Sequence, residues 1–407
     1  MRILVLNQYF HPDRSATSQL LTELCEDLAQ RHDVFVVTGR PSYNVAHDTG
    51  SRGLVSRERH GKVRVARVWS TTFDRTAGMP GRLTNYATYL TSSVAGAFAV
   101  SRPDIVVALT DPPPVGLIGA AIAKARRIPF VLVVKDLFPE VAVHLGALRN
   151  PAMIQGMRAA RSALLAAADR VVSIGRDMDE RLLKLGVPAH RITTIHDWSD
   201  GRLVCPLDRP SALRERHGWG DRFVVMHSGN VGLSQDLDIV IETAALLLDD
   251  TDVLFAIVGE GASKAGLQAD VTARDLHNVT FLPFQDREEL SESLGAADVH
   301  LVGLQRGLAG AIVPSKVYGI LAAGKPFVAA IEAGAEPALI AEEYGCGLRV
   351  EPGDPRALAD GLLEMRDSDL VAMGKRGREA LESRFDRSYA TDRYERTLRQ
   401  MVAEAPR

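Results

Sequence analysis

The sequence predicts an α/β protein made of two Rossmann-like domains, and two features of the chain carry this prediction. Short runs of β-branched and other apolar residues alternate with stretches of helical periodicity, which is typical of a parallel sheet covered by helices on both faces. The alternation pauses once, in a polar and proline-containing segment at residues 197–210, and then resumes. We therefore interpret that segment as a hinge between two domains of similar construction.

The first half begins with a buried strand at residues 3–6, followed by a polar loop and a helix. The helix is predicted because leucines recur at helical spacing between Leu20 and Leu28. The other strands expected in this half are short apolar runs at residues 34–38, 63–68, 105–109, 130–134, 171–174 and 192–195.

The second half repeats these kinds of element. Its expected strands are at residues 223–226, 253–258, 279–282, 299–302 and 327–331, and its expected helices at 237–248, 263–275 and 286–296. A last helix is expected at about residues 387–403, where Tyr389, Tyr394 and Leu398 are placed to pack back across the domain junction. We set the N-terminal domain at residues 1–200, the C-terminal domain at 201–386 and the final helical segment at 387–407.

The composition is that of a globular protein without a nucleic-acid partner. Hydrophobic residues make up 46% and charged residues 24% of the 407-residue chain, which suits two domains of ordinary size. A net charge of −3 argues against nucleic-acid binding. The three cysteines lie far apart and indicate neither a disulfide framework nor a zinc cluster. Without a signal-like start or an apolar run of membrane length, we expect a cytoplasmic protein.

The segment at residues 311–326 lies between two apolar runs and is the first candidate for a binding site. Pro314 and Ser315 favour the start of a helix there, and Gly324 favours its end. A helix that starts beside Lys316 offers backbone N–H groups, a positive dipole end and an ammonium group, which together suit a phosphate. An ordinary capped helix with a solvated lysine is the alternative.

Other candidates follow the predicted strands, because ligands of open parallel sheets bind at the carboxyl ends of the strands. In the second half these ends are rich in glycine and cationic residues. A glycine turn at residues 229–232 follows one strand, Gly259-Glu260-Gly261 follows the next, and Lys316 follows a later one. We expect this half to hold a phosphorylated donor and the first half, which offers Asp136, to hold a less charged partner. An ordinary tight turn at the glycines and a helix-capping role for Asp136 are the alternatives.

Five short segments, taken in order, carry a resemblance to a known family. They are Asn7-Gln-Tyr-Phe-His-Pro-Asp13, Asp136-Leu-Phe-Pro-Glu140, Ser228-Gly-Asn-Val-Gly232, Pro314-Ser-Lys316 and Leu321-Ala-Ala-Gly-Lys-Pro326. The chain resembles, over nearly its whole length, the retaining glycosyltransferases of the GT-B fold in the family-four class, especially those that assemble capsule, O-antigen and colanic-acid sugars. The resemblance implies a nucleotide-diphosphate sugar donor in the second domain, an acceptor in the first and an interdomain cleft closed by the hinge. It implies no metal and no cofactor besides the donor.

The sequence departs from this family at charged positions. Asn230 and Gln235 stand where the family carries an arginine and a lysine that neutralise the donor diphosphate. Ala311 and Gly319 stand where it carries two glutamates. A departing nucleoside diphosphate still needs its negative charge stabilised, so we expect Lys316 to supply the missing cation.

Further residues are candidates for the contacts that the missing side chains would make. Arg306, in the loop before Lys316, is the second candidate for the missing cation. Glu260, Tyr318 and Glu336 are candidates for contacts with the ribose and the transferred sugar.

We therefore predict a retaining, metal-independent glycosyltransferase that moves a sugar from a nucleotide diphosphate to a hydroxyl of a glycan or lipid-linked glycan. The predicted site residues are Lys316 and Asp136 for catalysis, Gly229, Asn230, Gly232, Glu260, Arg306, Pro314, Ser315 and Tyr318 for the donor, and His11, Asp13, Arg14 and Ser15 for the acceptor. Aspartates at 177, 179, 236 and 238 have D-x-D spacing but fall in predicted helix starts, where we expect them to cap. The alternatives are a nucleotide-sugar epimerase of the same fold and a non-catalytic nucleotide-sugar-binding subunit.

A peripheral membrane contact is a further expectation for a lipid-linked acceptor. Arg75, Arg82, Tyr86 and Tyr89 surround a segment able to lie on a lipid surface, which would place the protein at the inner face of the membrane. A solvated loop followed by a core helix is the alternative.

Overall fold

The structure is a computed structural model that describes residues 1–13, 15–41, 53–73, 78–98, 100 and 102–405, apart from the side chains of residues 78–80, 82, 83 and 98. The chain forms two compact units. The first consists of Met1–His196 together with Thr391–Arg407, and the second of Asp197–Ala390. The change of unit at Asp197 falls at the start of the segment that we interpret as a hinge.

The first unit is built on an eight-stranded sheet. Its strands are β1 (Arg2–Leu6), β2 (Asp33–Thr38), β3 (Val55–His60), β4 (Val63–Val68), β5 (Ile105–Leu109), β6 (Phe130–Val133), β7 (Arg170–Ser173) and β8 (Ile192–Thr194). They lie in the order β3-β4-β2-β1-β5-β6-β7-β8. The β3–β4 pair is antiparallel and the other pairs are parallel. The register places Val5 of β1 opposite Val36 of β2, so the apolar runs coincide across the centre of the sheet.

Helices connect these strands. They are α1 (Ala16–Leu28), α2 (Gly78–Phe98), α3 (Val115–Arg126), α4 (Glu140–His144), α5 (Pro151–Ala167) and α6 (Arg176–Lys184), with a 3₁₀ turn at Ala189–Arg191. Two of them begin at side-chain caps: Ser15 Oγ accepts from the Ser18 N–H (3.2 Å), and Asn150 Oδ1 accepts from the Met153 N–H (3.1 Å). Each cap satisfies a backbone donor that the helix itself cannot pair.

The second unit is built on a six-stranded parallel sheet in the order β11-β10-β9-β12-β13-β14. Its strands are β9 (Phe223–Ser228), β10 (Val253–Val258), β11 (Val279–Leu282), β12 (Val299–Gly303), β13 (Phe327–Ala330) and β14 (Gly347–Val350). Its helices are α7 (Ala212–Arg216), α8 (Asp238–Leu246), α9 (Lys264–Ala273), α10 (Leu290–Gly295), α11 (Lys316–Ala322), α12 (Glu336–Tyr344), α13 (Pro355–Arg366) and α14 (Leu370–Ala380). Short 3₁₀ turns at Leu233–Gln235 and Arg287–Glu289 and a π turn at Leu381–Phe385 complete it, and α15 (Arg387–Glu404) ends the chain.

Burial on both faces explains why these strands read as continuous apolar runs. All residues of β10 are buried. The odd-numbered side chains from Val253 to Ile257 belong to one core cluster, and the even-numbered ones from Leu254 to Val258 belong to a second, because successive side chains of a strand point to opposite faces. Burying one such side chain stabilises the fold by about 1.5–3 kcal/mol. The predicted fold class, two parallel-sheet α/β domains, is confirmed.

Two strands, β3 and β14, were absent from the sequence prediction. Both lie at sheet edges. The sequence of β3 is Val-Ser-Arg-Glu-Arg-His, with mostly exposed side chains, and that of β14 is Gly-Leu-Arg-Val. Edge strands tolerate polar side chains because one side faces solvent, so they lack the apolar signal that marks a central strand.

The structure corrects one part of the expected membrane contact. Tyr89 of α2 is fully buried and its hydroxyl donates to the Val37 carbonyl oxygen (3.2 Å), so it is a core residue. Tyr86 is partly buried, and Arg75 and the Arg82 side chain lie outside the described residues. None of the helices in the described ranges has the length and hydropathy needed to cross a membrane.

Arg378 of α14 ties the start of the second unit to the end of α11. Its guanidinium donates to the carbonyl oxygens of Gly201 (2.8 Å), Val204 (2.9 Å) and Ala322 (2.7 Å). We expect Arg378→Met to lower the free energy of unfolding by about 3 kcal/mol, because it leaves partly buried carbonyls without donors. Urea unfolding measures this. Arg366→Met, which removes a surface ion pair with Asp250, is the control and should lower the free energy of unfolding by less than about 1 kcal/mol. Equal losses in the two variants would contradict a stabilising role for the hydrogen bonds of Arg378.

Candidate functional site

The carboxyl edge of the second sheet holds a turn, Gly229–Gly232, that follows β9. Gly259 and Gly261, which follow the carboxyl end of β10, lie beside this turn, and the turn leaves no space for a side chain at either position. A Cβ atom on Gly259 would lie 1.8 Å from the Gly229 carbonyl oxygen, and one on Gly261 would lie 2.1 Å from the Val231 carbonyl oxygen. Real Cβ contacts are never this short, so the backbone of the turn packs directly on that of its neighbour.

A third glycine fixes the far side of the same segment. A Cβ atom on Gly303, at the end of β12, would lie 2.4 Å from the Gln235 carbonyl oxygen. The residues after β9 are therefore held between the ends of β10 and β12, the two strands that flank β9. This packing gives the turn a fixed position at the edge where ligands of such sheets bind.

The backbone N–H groups of Gly229 and Gly232, two of the predicted donor residues, are hydrogen-bonded within the chain. The Gly229 N–H donates to the Val258 carbonyl oxygen (2.9 Å), and the Gly232 N–H donates to Gln235 Oε1 (3.1 Å). These bonds continue the sheet pairing and close the turn. Asn230 keeps an exposed side chain, so it remains the polar group of the turn that a ligand can reach.

Lys316 brings a cation to this turn. The helix α11 begins at Lys316, as the proline and serine before it predict, and the side chain extends back toward β9. Lys316 Nζ lies 3.1 Å from Nδ1 and 3.2 Å from Nε2 of His227, and it would be 4.0 Å from a Cβ atom on Gly229. The predicted proximity of the lysine and the glycine turn is therefore present within this unit.

The His227 ring contacts the Lys316 ammonium from the end of β9. It is fully buried in β9, and its Nε2 lies 3.3 Å from the Asn230 carbonyl oxygen. If Nε2 carries the proton and donates to that carbonyl, Nδ1 is left as an acceptor for the Lys316 ammonium. His227 was not among the predicted site residues, and its only sequence signal is its place two residues before the turn.

The surroundings lower the pKa of both Lys316 and His227. Burial lowers the pKa of Lys316 to about 7. Burial, and then the charge of Lys316, lower the pKa of His227 well below its usual value. The imidazole is therefore neutral at physiological pH, and the amine loses its proton more readily than an ordinary lysine does. A nearby anion would favour the ammonium form, which makes this lysine responsive to a bound phosphate.

Several predicted donor residues have other contacts. Tyr318 is fully buried and its ring packs on Phe385 with centroids 5.4 Å apart, so it is a core residue and the prediction for it is corrected. Arg306 donates to Glu351 Oε2 and to the Pro352 carbonyl oxygen (3.2 Å each), which pairs the charge that we expected to face the diphosphate. The proposed ribose contact Glu336 is also fully buried.

Three other donor candidates lie at the sheet edge. Glu260 follows β10 and accepts from Lys264 Nζ (2.6 Å), so its carboxylate is paired although exposed. Ser315 precedes α11 but makes no capping hydrogen bond to it, which corrects its expected capping role. Pro314 is partly buried beside it.

In the first unit, Asp136 is exposed just after β6. Its neighbour Lys135 donates its N–H to Thr110 Oγ1 (3.0 Å), which joins the ends of β6 and β5. Asp136 also lines an apolar cavity beneath α5. The structure thus places this acid at the carboxyl edge of the first sheet, where sequence analysis expected a substrate contact.

The predicted acceptor residues 11, 13, 14 and 15 have different environments. The His11 ring lies against that of His60 (4.1 Å between centroids), and burial, followed by the charges of His60 and Arg67, lowers its pKa. Asp13 is buried. Ser15 caps α1, so the structure assigns it a structural role. Arg14 lies outside the described residues.

One aspartate of each D-x-D pair differs from the expected cap. Asp179 accepts from Thr194 Oγ1 (2.6 Å) and from Ser173 Oγ, so it joins the ends of β7 and β8 instead of capping α6. Asp236 has a left-handed φ of 53° at the end of a 3₁₀ turn, and burial, then Asp238 and Glu242, raise its pKa. Within the described ranges, no three His, Cys, Asp or Glu side chains gather as metal ligands would.

Two models of known protein families match this chain, one in each unit. Residues 16–198 match the family model described as Glycosyl transferase 4-like domain, and residues 211–380 match Glycosyl transferases group 1. The chain is 31% identical over 380 residues to the putative colanic acid biosynthesis glycosyl transferase WcaI of Escherichia coli K12, covering 89% of this chain and 91% of WcaI. It is 31% identical over 307 residues to the probable glycosyltransferase WbjE of Pseudomonas aeruginosa, covering 75% and 76% of the two chains.

A solved structure shows the same fold. Anabaena HepE in complex with UDP-glucose is 18% identical, and the match covers 98% of this chain and 100% of HepE with a TM-score of 0.72. This likeness agrees with the GT-B fold that the sequence motifs imply.

Proposed function

This chain belongs to the glycosyltransferase family of WcaI and WbjE, and on that premise we propose that it moves a sugar from a nucleotide diphosphate to an acceptor hydroxyl with retained configuration. The observation that carries the proposal is the position of Lys316, whose ammonium lies beside the Gly229–Gly232 turn at the ligand-binding edge of the second sheet. HepE, which shares this fold, is solved in complex with UDP-glucose, and this supports a nucleotide sugar as the donor.

In the proposed reaction, Lys316 stabilises the leaving group. The bond between the anomeric carbon and the phosphate oxygen breaks, and its electron pair passes to the departing nucleoside diphosphate. The acceptor oxygen attacks from the same face, and its proton passes to the leaving phosphate oxygen. An ammonium aimed at that oxygen stabilises the charge that develops there, while Asn230 offers an amide to the same group.

Asp136 is proposed to orient an acceptor or donor-sugar hydroxyl, because an exposed carboxylate accepts hydrogen bonds from such groups. The acceptor is proposed to be a glycan or a lipid-linked glycan, used in the cytoplasm at the inner face of the membrane. No metal or other cofactor is proposed, since Lys316 supplies the positive charge that the leaving group requires.

Nucleotide release measured with a panel of nucleotide sugars tests this function. The reaction is run with and without an extract of lipid-linked and free glycans, and the anomeric configuration of the product is read by NMR. Release that depends on the extract, persists in EDTA and retains configuration is the expected result. Epimer formation without acceptor, or binding without turnover, would contradict the proposal.

The affinity for a nucleotide-diphosphate sugar is expected to fall as the pH rises above 7. The unliganded amine has a pKa of about 7, and the diphosphate raises it, so binding takes up a proton wherever the free amine is neutral. The affinity is then highest below pH 7 and falls above it by a few-fold in total, no more than the loss expected for Lys316→Met, because the ammonium acts mainly on the leaving group as it departs. Calorimetric titration between pH 6 and 9 measures the dependence. Lys316→Met should flatten it; an unchanged slope in that variant would remove Lys316 from the site.

A further inference from the structure

An apolar cavity lies at the carboxyl edge of the first sheet, under helix α5. It encloses about 80 Å³, and its apolar lining includes Pro114, Leu117, Leu132, Leu137, Phe138 and Met157. Thr110, Asp136 and Arg161 supply its polar lining. Asp136 and Ala160 in its lining are exposed, so the cavity opens to the surface. A ligand that covers its apolar lining gains about 25 cal/mol for each Å² removed from water. This lining therefore suits a hydrocarbon group.

The position of α5 produces the cavity. Helices α3 and α5 touch at Gly116, where a Cβ atom would lie 2.8 Å from Leu164 Cδ1. One turn earlier on α5, Ala160 and Met157 border open space instead of a packed neighbour. In α5 the buried residues are Leu164 and Leu165 near its end, so the part of the helix before them covers the cavity without filling it.

Apolar side chains continue from the cavity to the surface. Leu117 lines the cavity and is 38% exposed. Met153 is 42% exposed and lies four residues before Met157, so both occupy one face of α5. A hydrocarbon chain longer than the cavity can therefore extend along this surface while one end stays buried.

A cationic group lies at the same cavity. The Arg161 guanidinium, 13% exposed, pairs with Glu140, which also accepts from Arg158 Nε (3.2 Å). The Arg161 Nε–H is buried and has no acceptor among the described residues. Helix α5 carries both arginines and no acidic residue. An oxygen of an anionic group would give this buried donor its missing partner.

We propose that this cavity binds the hydrocarbon end of an anionic lipid, an alkyl or isoprenoid chain joined to a phosphate. Arg161 would contact the phosphate, and Asp136 would lie close to the polar group that follows it. The assignment rests on the proposed function, because it names the chemical class of the acceptor used by that reaction.

Binding of short alkyl phosphates to the full chain tests the assignment without requiring turnover. Octyl, decyl and dodecyl phosphate are titrated calorimetrically below their micelle concentrations, with inorganic phosphate and decanol as separate arms. We expect the affinity to rise with chain length by up to about fourfold per buried methylene. Decanol should bind more weakly than decyl phosphate, and inorganic phosphate should not displace decyl phosphate from the cavity.

Two neighbouring alanines of α5 provide matched variants. Both are exposed, but only Ala160 lines the cavity. We expect Ala160→Trp to weaken decyl phosphate binding by about tenfold or more, since the indole occupies space used by several methylene groups. Ala159→Trp should bind like the parent chain, and Arg161→Lys should weaken decyl phosphate more than decanol. Circular dichroism and the unfolding midpoint confirm that each variant folds.

Equal binding by the two tryptophan variants, or an affinity independent of chain length, would overturn the assignment. The proposed transferase activity has a separate readout, extract-dependent nucleotide release. If extract-dependent nucleotide release is observed but alkyl phosphates do not bind at the cavity, only the lipid site is rejected. Absence of release with every nucleotide sugar rejects the proposed function.

Discussion

Replacing Lys316 with methionine is expected to lower kcat about 10²–10³-fold while changing donor affinity much less, because the lost charge acts mainly on the leaving group as it departs. Methionine keeps most of the side-chain volume beside His227 and Gly229, so packing is largely preserved. Steady-state kinetics with the preferred nucleotide sugar measures kcat and KM separately. A variant with the parent's kcat would remove Lys316 from the proposed role.

Lys375→Met is the matched control for this change. Lys375 is an exposed lysine on α14 of the same unit, so its replacement removes the same charge from the protein without touching the site. It should keep the parent's kinetics. A comparable loss in both variants would mean that net charge, and not the position of the ammonium, decides the rate.

Gly261→Ala is expected to lower kcat/KM about 100-fold, because the new Cβ atom would lie 2.1 Å from the Val231 carbonyl oxygen and must displace the Gly229–Gly232 turn. A displacement of about 1 Å in a positioning group costs a factor of this size. Crowding of this kind also destabilises a fold by about 1–3 kcal/mol. Kinetics and urea unfolding measure the two effects.

Gly266→Ala provides the comparison on the neighbouring helix. Gly266 lies inside α9 with open space where its Cβ would be, so alanine should stabilise the chain by about 0.4–1 kcal/mol and leave kcat/KM unchanged. If both substitutions reduce activity equally, general disturbance of this region explains the loss, and the contact between the two glycine segments does not.

The fold was largely accessible from the sequence because central parallel strands are buried on both faces. The runs that form β4, β5, β10 and β11 were predicted with the bounds that the structure shows. The edge strands β3 and β14 were missed because their polar side chains carry no such signal. The pairing order of the strands depends on contacts between distant residues, which the periodicity of a single sequence does not contain.

The candidate site was accessible only in outline. The positions of the strand ends in the sequence placed Lys316 and the glycine turn at one edge. They could not show that the N–H groups of Gly229 and Gly232 are already bonded, or that His227 contacts the lysine. Both facts depend on distances between separate strands. The prediction for Tyr318 could have been improved: it lies two residues after Lys316 on a helix, about 200° around the axis, so the two side chains face in different directions.

The central claim is that Lys316 receives the diphosphate of the donor at the edge of the second sheet. A crystal structure of the chain with a bound nucleoside diphosphate tests it most directly. The account predicts that Lys316 Nζ lies about 2.7–2.9 Å from a phosphate oxygen, next to Asn230 and the Gly229–Gly232 turn. A diphosphate bound at other residues, with Lys316 still on His227, would contradict it.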